Sequence, residues 1–125
     1  MKLLSFLFGY TFLFHFCVAY ADTSINIAKI IEIDSKILKE KRTIIVSLPE
    51  GYESSKAQYP TIFLLDGLQN IRHVVGSSDV LTRAGSTPKS IIIGVKSEQR
   101  MKDFTPSNMS EEKISGGGKK FLSFL

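Results

Sequence analysis

Three residues at the end of an apolar run lie where α/β proteins most often carry out chemistry. The run is Thr61-Ile62-Phe63-Leu64-Leu65, and Asp66-Gly67-Leu68 follows it directly. Because its apolar residues do not alternate with polar ones, the run predicts a strand buried on both faces of a parallel sheet. Ligands bind at the carboxyl ends of such strands, so Asp66-Gly67-Leu68 is predicted to lie at the working edge of the sheet.

The polar side chains near this edge have more than one interpretation. Asp66 could orient a substrate, but an Asp directly before a helix is also a good N-cap, and we favour the cap. Arg100 and Asp103 could line the mouth of a substrate site, and an ion pair between them that braces a loop is an equally good interpretation. His73 has no Ser or Asp arranged with it and is predicted to face solvent on a helix.

Composition excludes several other classes of function. The chain has 16 basic and 12 acidic residues, and these charges are scattered without a basic stripe or interleaved aromatic residues, so no nucleic-acid partner is predicted. One Cys and two His give no metal-ligand spacing. The three glycines at 116–118 lack the preceding strand and the Gly-Lys-Ser/Thr ending of a phosphate-binding loop. We therefore expect no metal and no cofactor.

The first 21 residues are predicted to be a secretory signal peptide. A short basic start is followed by an apolar stretch from Leu3 to Val18 and by the small-x-small cleavage site Ala19-Tyr20-Ala21. The alternative is a membrane anchor, but the apolar stretch is short for a span and is interrupted by polar residues. Cleavage would leave no membrane anchor and would remove the only cysteine, Cys17. An exported protein without disulfides suits a bacterial periplasm or secretion.

The mature chain, residues 22–125, is predicted to begin with two antiparallel strands. Apolar residues recur at near-alternate positions in Ser24 to Ser35, and they alternate from Arg42 to Leu48 with Ile44, Val46 and Leu48 on one face. The short polar join between the two stretches predicts an antiparallel pair.

A βαβ unit follows the strand pair. Helical spacing of apolar residues predicts a helix from Leu68 to about Arg83, and Ser90 to Val95 predicts a second buried strand, parallel to Thr61–Leu65. Lys96 to Lys113 is predicted to be irregular. The three glycines at 116–118 are predicted to form a flexible joint before an amphipathic helix that opens at Lys119.

Three sequence elements in this order resemble a known family. They are Arg42 to Tyr52 (Arg-Thr-Ile-Ile-Val-Ser-Leu-Pro-Glu-Gly-Tyr), Tyr59-Pro60 with Leu64-Leu65-Asp66-Gly67, and Arg100 with Asp103-Phe104-Thr105-Pro106. Together they resemble the Putative esterase family of α/β-hydrolases, most of all its exported siderophore-esterase-like branch. The resemblance extends from about Ser35 to Leu125.

The resemblance implies an α/β-hydrolase fold of which this chain contains only the N-terminal part. In that fold the nucleophilic Ser lies in G-x-S-x-G after the third parallel strand, and the acid and the His follow it. No such strand follows Ser90 to Val95 here, so residues 22–125 are interpreted as the N-terminal portion of the domain, truncated before the nucleophile. Gly76-Ser77-Ser78-Asp79-Val80 comes nearest to the motif, but it has Val80 where Gly is needed and lies within the predicted helix.

The resemblance also assigns one site residue. In members with Asp-Gly-Leu at this position, the residue after Asp-Gly supplies a backbone N–H to the oxyanion hole, which implies that role for Leu68. Gly67 would permit the tight approach of the backbone. The alternative is an ordinary turn in which Leu68 packs the helix.

The expected function is that of a serine esterase acting on a small-molecule ester, with this chain inactive alone because the triad is missing. Three alternatives stay open: an acyltransferase on the same scaffold, a non-catalytic binding module, and the non-functional product of a truncated gene.

Overall fold

The computed structural model describes residues 24–109 and 114–125. The predicted signal peptide and its cleavage site therefore lie outside the described residues. Among the helices within these two ranges, none combines the length and the hydropathy needed to cross a bilayer.

Four strands form one mixed sheet. They are β1 (Lys29–Ser35), β2 (Glu40–Ser47), β3 (Thr61–Leu65) and β4 (Ile91–Val95), in the spatial order β1-β2-β4-β3. β1 and β2 are antiparallel, β2 and β4 are antiparallel, and β3 and β4 are parallel. Both the predicted antiparallel pair and the predicted parallel pair are confirmed, although β2 begins two residues earlier than expected. A short 3₁₀ helix, Tyr52–Ser54, lies between β2 and β3.

One face of the sheet is covered by the long helix α1 (Gly67–Arg83), which connects β3 to β4. The core on this face consists of Ile45, Ile71 and Ile92, with Val74 and Val75 packed against it. The predicted helical spacing is thus confirmed for these α1 residues. His73 is exposed on α1, as predicted.

The opposite face is covered by two short helices, α2 (Arg100–Phe104) and α3 (Gly118–Leu122). Leu38, Val95 and Phe121 form the core there, and Phe104 meets Phe121 edge to face with ring centroids 5.5 Å apart. The prediction that Lys96 to Lys113 is irregular is wrong for α2. A single helical turn with one buried residue is too short to give a periodic pattern.

The glycines at 116–118 are a tightly packed segment, which corrects the prediction of a flexible joint. The N–H of Gly117 donates to the carbonyl of Lys102 at 2.8 Å, and the N–H of Gly118 donates to that of Thr105 at 3.0 Å. A Cβ on Gly117 would lie 2.6 Å from the oxygen of Lys102. These glycines therefore allow the chain before α3 to lie directly against α2.

β3 is an edge strand in the described part of the chain, and its burial differs from the prediction. Ile62, Phe63 and Leu65 are each exposed over about two fifths of their surface. Only β4 pairs with β3, and the helices cover its faces in part, so the expected burial on both faces is wrong. The apolar run correctly indicated the strand but not its neighbours.

Candidate functional site

The turn between β3 and α1 is formed by Asp66 in a left-handed backbone conformation, with φ 51° and ψ 44°. Asp is one of the few residues other than Gly that tolerates this region. The carbonyl of Asp66 accepts hydrogen bonds from the N–H groups of Gln69 and Asn70, at 3.1 and 3.2 Å. Asp66 therefore occupies the N-cap position of α1, as predicted, but its side chain makes no capping bond. A capping side chain needs an extended backbone, which this turn does not provide.

Gly67 lies directly against the backbone of β4. A Cβ on Gly67 would lie 2.5 Å from the Cα of Gly94 and 2.7 Å from the nitrogen of Val95. The prediction that Gly67 serves a tight backbone approach is consistent with this contact. Its partner, Gly94, was missed by the sequence analysis. The available signal was a glycine inside a run of branched residues in a central strand, which marks a close backbone approach.

The N–H of Leu68 has no hydrogen-bond acceptor among the described residues. Leu68 is the second residue of α1, where an N–H has no acceptor within its own helix. Leu68 is 46% exposed, so only about half of its surface packs against the rest of the protein. The alternative interpretation, in which Leu68 merely packs the helix, therefore applies to that half. The geometry permits the predicted donor.

Asp66 and Arg100 form an ion pair beside this turn, with Arg100 Nη2 3.2 Å from Asp66 Oδ2. The guanidinium of Arg100 also lies over the ring of Phe104, 5.7 Å from its centroid, and the side chain is largely exposed. The ion pair expected between Arg100 and Asp103 is therefore absent, because each residue has a different partner. Asp66 and Arg100 come together at the predicted edge, and their contact with a substrate stays a prediction.

Asp103 pairs with Arg42, 61 residues earlier, in the interior. Arg42 Nη1 and Nη2 donate to the two carboxylate oxygens of Asp103, each at 2.7 Å, and both side chains are only 1% exposed. The Ser97 hydroxyl also donates to Asp103, at 3.3 Å. The carboxylate raises the pKa of Arg42 above its ordinary value, chiefly through these hydrogen bonds. Arg42 thus engages both carboxylate oxygens of Asp103 in the interior. The predicted contact of Asp103 with a substrate is not tested by this geometry and stays a prediction.

Arg42 itself was missed by the sequence analysis, although a signal was present. It precedes Ile44 and Val46 at alternate positions, so the strand pattern puts its charge on an apolar face. A charged side chain on such a face needs a partner, but the pattern does not say where in the chain that partner lies.

Two further charges extend this ion pair toward solvent. Glu40 accepts from Arg42 and from Lys102 Nζ, the latter at 2.7 Å. The pKa of Glu40 is lowered chiefly by the hydrogen bond from Lys102. The hydrogen bond from Arg42 lowers it further, and burial of the carboxylate acts in the opposite direction. β2 and α2 are thus joined by four alternating charges.

An apolar pocket of about 480 Å³ opens beside the turn. Leu65 at the end of β3 forms one wall, and residues of α2, α3 and the chain end form the other, among them Phe104, Phe121, Leu122 and Leu125. The pocket therefore begins at the carboxyl end of β3 and lies on the opposite face of the sheet from α1.

Comparison with known proteins identifies the family. The protein-family model described as "Putative esterase" matches residues 35–125 of the chain.

The chain belongs to the Putative esterase family.

Two solved structures support this assignment, and a third shares the fold. The IroE-like serine hydrolase from Shewanella oneidensis is 31% identical over 78% of this chain, with a TM-score of 0.71. The BES protein from Bacillus cereus is 25% identical over 86%, with a TM-score of 0.65. A siderophore hydrolase from Aspergillus nidulans is 18% identical over 85% of the chain, with a TM-score of 0.60, and shares the fold. No curated protein matches the chain.

The chain spans 34%, 45% and 44% of the lengths of these three structures. The prediction of an α/β-hydrolase fold, of which this chain corresponds to an N-terminal portion, is confirmed by the esterase-family match and by the mixed open sheet with helices on both faces. The roles of the individual site residues stay predictions.

Proposed function

We propose that this chain supplies the N-terminal part of an exported serine esterase, including one of the two donors of its oxyanion hole. The observation that carries the proposal is the free N–H of Leu68, held by a left-handed turn at the carboxyl end of β3. In α/β-hydrolases the loop after this strand provides such a donor. Membership of the esterase family gives the chemistry that this donor would serve.

The proposed reaction is acyl transfer from an ester to water. A Ser attacks the ester carbonyl, a His takes the Ser proton and returns it to the leaving alcohol, and water then releases the acyl group. The N–H of Leu68 would stabilise the negative charge on the carbonyl oxygen in the tetrahedral intermediate. None of the serines in residues 22–125 occupies a G-x-S-x-G elbow, so we place the nucleophile outside this chain.

The pocket beside the turn suits an apolar part of the ester. Its walls are mainly aliphatic and aromatic, and it begins at Leu65, one residue before the turn. Arg100 and Asp66 lie at the same edge and provide polar contacts for the rest of a small-molecule substrate. The acyl group would then be fixed by shape and the reacting carbonyl by the backbone donor.

The experiment uses the protein produced from the whole reading frame that contains this chain. Purified protein is assayed for hydrolysis of p-nitrophenyl acetate and for covalent labelling by a fluorophosphonate, which reacts with activated serines. The proposal predicts turnover and one labelled serine that lies beyond residue 125. Residues 22–125 alone, assayed in parallel, are predicted to show neither.

The same assay separates the alternatives. Transfer of the acetyl group to an added alcohol in preference to water would support an acyltransferase. A folded protein that is neither labelled nor active would support a binding module. A reading frame that stops at residue 125 and yields no soluble protein would support the truncated product.

Export is part of the proposal and is tested separately. The mature protein is predicted to begin at Asp22 and to be found outside the cytoplasm, which N-terminal sequencing of the extracytoplasmic fraction decides. A protein that retains Met1 in the membrane fraction would support the anchor interpretation instead.

A further inference from the structure

We propose that Gly94 is a positioning residue for the oxyanion donor at Leu68, an inference that rests on the proposed esterase function. Gly94 lies in β4, on the sheet face that α1 covers. The backbone that packs against it there is that of Gly67, the first residue of α1. A Cβ on Gly94 would lie 2.9 Å from the Cα of Gly67, and a Cβ on Gly67 would lie 2.5 Å from the Cα of Gly94. The two glycines bring two backbones into direct contact.

The requirement for glycine at position 94 is one of space. Gly94 is not among the glycines with positive φ, which in the described residues are Gly51, Gly85 and Gly116. Its backbone conformation is therefore open to any residue. A glycine inside a strand weakens that strand, since it has no side chain to pack and loses more entropy on folding. The close approach of Gly67 is the feature of the structure that accounts for a glycine here.

The contact determines where the Leu68 N–H lies because no side chain intervenes. The atoms that an added Cβ would meet belong to the backbone, so they cannot rotate away as a flexible side chain would. Ordinary van der Waals contact begins at 3.4 Å, so α1 would have to move about half an ångström away from β4. Leu68 is bonded directly to Gly67 and would move with it.

A shift of this size matters for an oxyanion hole. Its donors work at about 2.7–3.1 Å from the oxyanion, and a misplacement of about 1 Å can cost about 100-fold in rate. Half that displacement gives an expected fall of about 10-fold in kcat for Gly94→Ala. Because the interaction is made in the transition state, KM should change less than about twofold.

Gly76 provides the matched control. It lies within α1, and a Cβ built on it meets nothing within 4 Å. Gly76→Ala therefore adds the same methyl group without a clash and should leave kcat unchanged. In the same assay Gly67→Ala, whose Cβ would meet the backbone at shorter distances than that of Gly94, should lower kcat more than Gly94→Ala does.

The test combines kinetics with crystal structures of the Gly94→Ala and Gly76→Ala variants of the whole protein. Rates are divided by the number of active sites titrated with fluorophosphonate, so loss of folded protein does not lower the measured kcat. We expect the Leu68 nitrogen to move by about 0.5 Å relative to β4 in Gly94→Ala and to stay in place in Gly76→Ala. A Gly94→Ala variant with an unmoved nitrogen, or with wild-type kcat per active site, would overturn the proposal.

The design also separates this proposal from the proposed function. If the wild-type protein has no esterase activity, the proposed function fails, while displacement of the Leu68 nitrogen still tests the positioning by Gly94. If Gly94→Ala is unfolded, both measurements are repeated in trimethylamine N-oxide, which favours compact states. Failure to fold even then assigns Gly94 a purely structural role and overturns the proposal.

Discussion

The two faces of the sheet are stabilised by different means. On the α1 face, a glycine–glycine backbone contact and an aliphatic core of Ile45, Ile71 and Ile92 join the sheet to one long helix. On the opposite face, the buried pair of Arg42 and Asp103 connects β2 to α2 and lies beside the aromatic residue Phe121. The α1 face sets the position of the candidate oxyanion donor, whereas the other face forms the pocket wall.

This difference indicates how each face should respond to mutation. An aliphatic core loses stability roughly in proportion to the volume removed, because its atoms lose contacts and leave a cavity. A buried ion pair responds asymmetrically, since removal of one partner leaves the other charged and unsolvated. Four substitutions test this comparison, beginning with the largest expected effect.

Arg42→Ala is expected to destabilise the protein by about 3–5 kcal/mol, because it leaves Asp103 buried without its partner. Chemical denaturation of wild type and variant measures the difference in the free energy of unfolding. The control is the double variant Arg42→Met with Asp103→Leu, which removes both charges and should recover most of the loss. A single variant that unfolds like wild type would show that the buried pair does not hold this face.

Ile71→Ala is expected to cost about 2–4 kcal/mol by creating a cavity between α1 and the sheet. Ile71 is buried, and its neighbours Ile45 and Ile92 belong to adjacent strands. Ile71→Val, which removes one methyl group, should cost about 1 kcal/mol in the same denaturation experiment. Equal losses for the two variants would contradict a volume-dependent core on this face.

Glu40→Gln is expected to make stability less dependent on pH in the acidic range. The pKa of Glu40 is lowered in the folded protein, so the folded state binds its proton less readily than the unfolded state. The stabilisation is present above the ordinary Glu pKa, about 4.3, and is lost as the pH falls through the lowered value. Thermal melting from pH 7 to pH 3 should show a shallower fall in Tm for the variant. Parallel curves for wild type and variant would rule out this contribution.

Asp79→Asn is expected to have the smallest effect, a loss of about 0.3–0.5 kcal/mol, because it removes the charge while size and helix propensity stay nearly the same. Asp79 pairs with Arg83 at 2.9 Å one turn later in α1, with side chains 62% and 71% exposed. Solvent and salt screen such a pair, so even this loss should shrink in 1 M NaCl. A loss as large as that of Arg42→Ala would show that burial does not explain the difference between the two ion pairs.

The same two faces explain which features the sequence could predict. The unit from β3 through α1 to β4 is contiguous, and its apolar residues have the periods of a strand and a helix, so its elements and the turn at Asp66 were predicted. α2 is one turn long and depends on contacts with β2, so its sequence contains no periodic pattern that predicts a helix. Arg42 and Asp103 are 61 positions apart. The strand pattern indicates that the charge of Arg42 needs a partner, but it does not indicate which residue that partner is.

At the site, the sequence indicated the edge, and the resemblance supplied the role of Leu68. The partners of Asp66 and Arg100 required the fold, since the spacing of Arg100 and Asp103 permits a pair between them and no spacing in the sequence connects Arg100 with Asp66. The exposure of β3 likewise depends on which strands pair with it and not on its own residues. Gly94 could have been noticed as an isolated strand glycine, but the residue against which it packs could not.

The most direct test of the account is turnover of the whole protein with Leu68→Pro, compared with Leu68→Ala. Proline removes the N–H at a first-turn position, where a helix tolerates it, and alanine keeps the N–H while removing the exposed side chain. With circular dichroism showing both variants folded, the account predicts that Leu68→Pro loses about 100- to 1,000-fold in kcat and that Leu68→Ala stays close to wild type. A folded Leu68→Pro variant with wild-type turnover would contradict the assignment of Leu68 as an oxyanion donor.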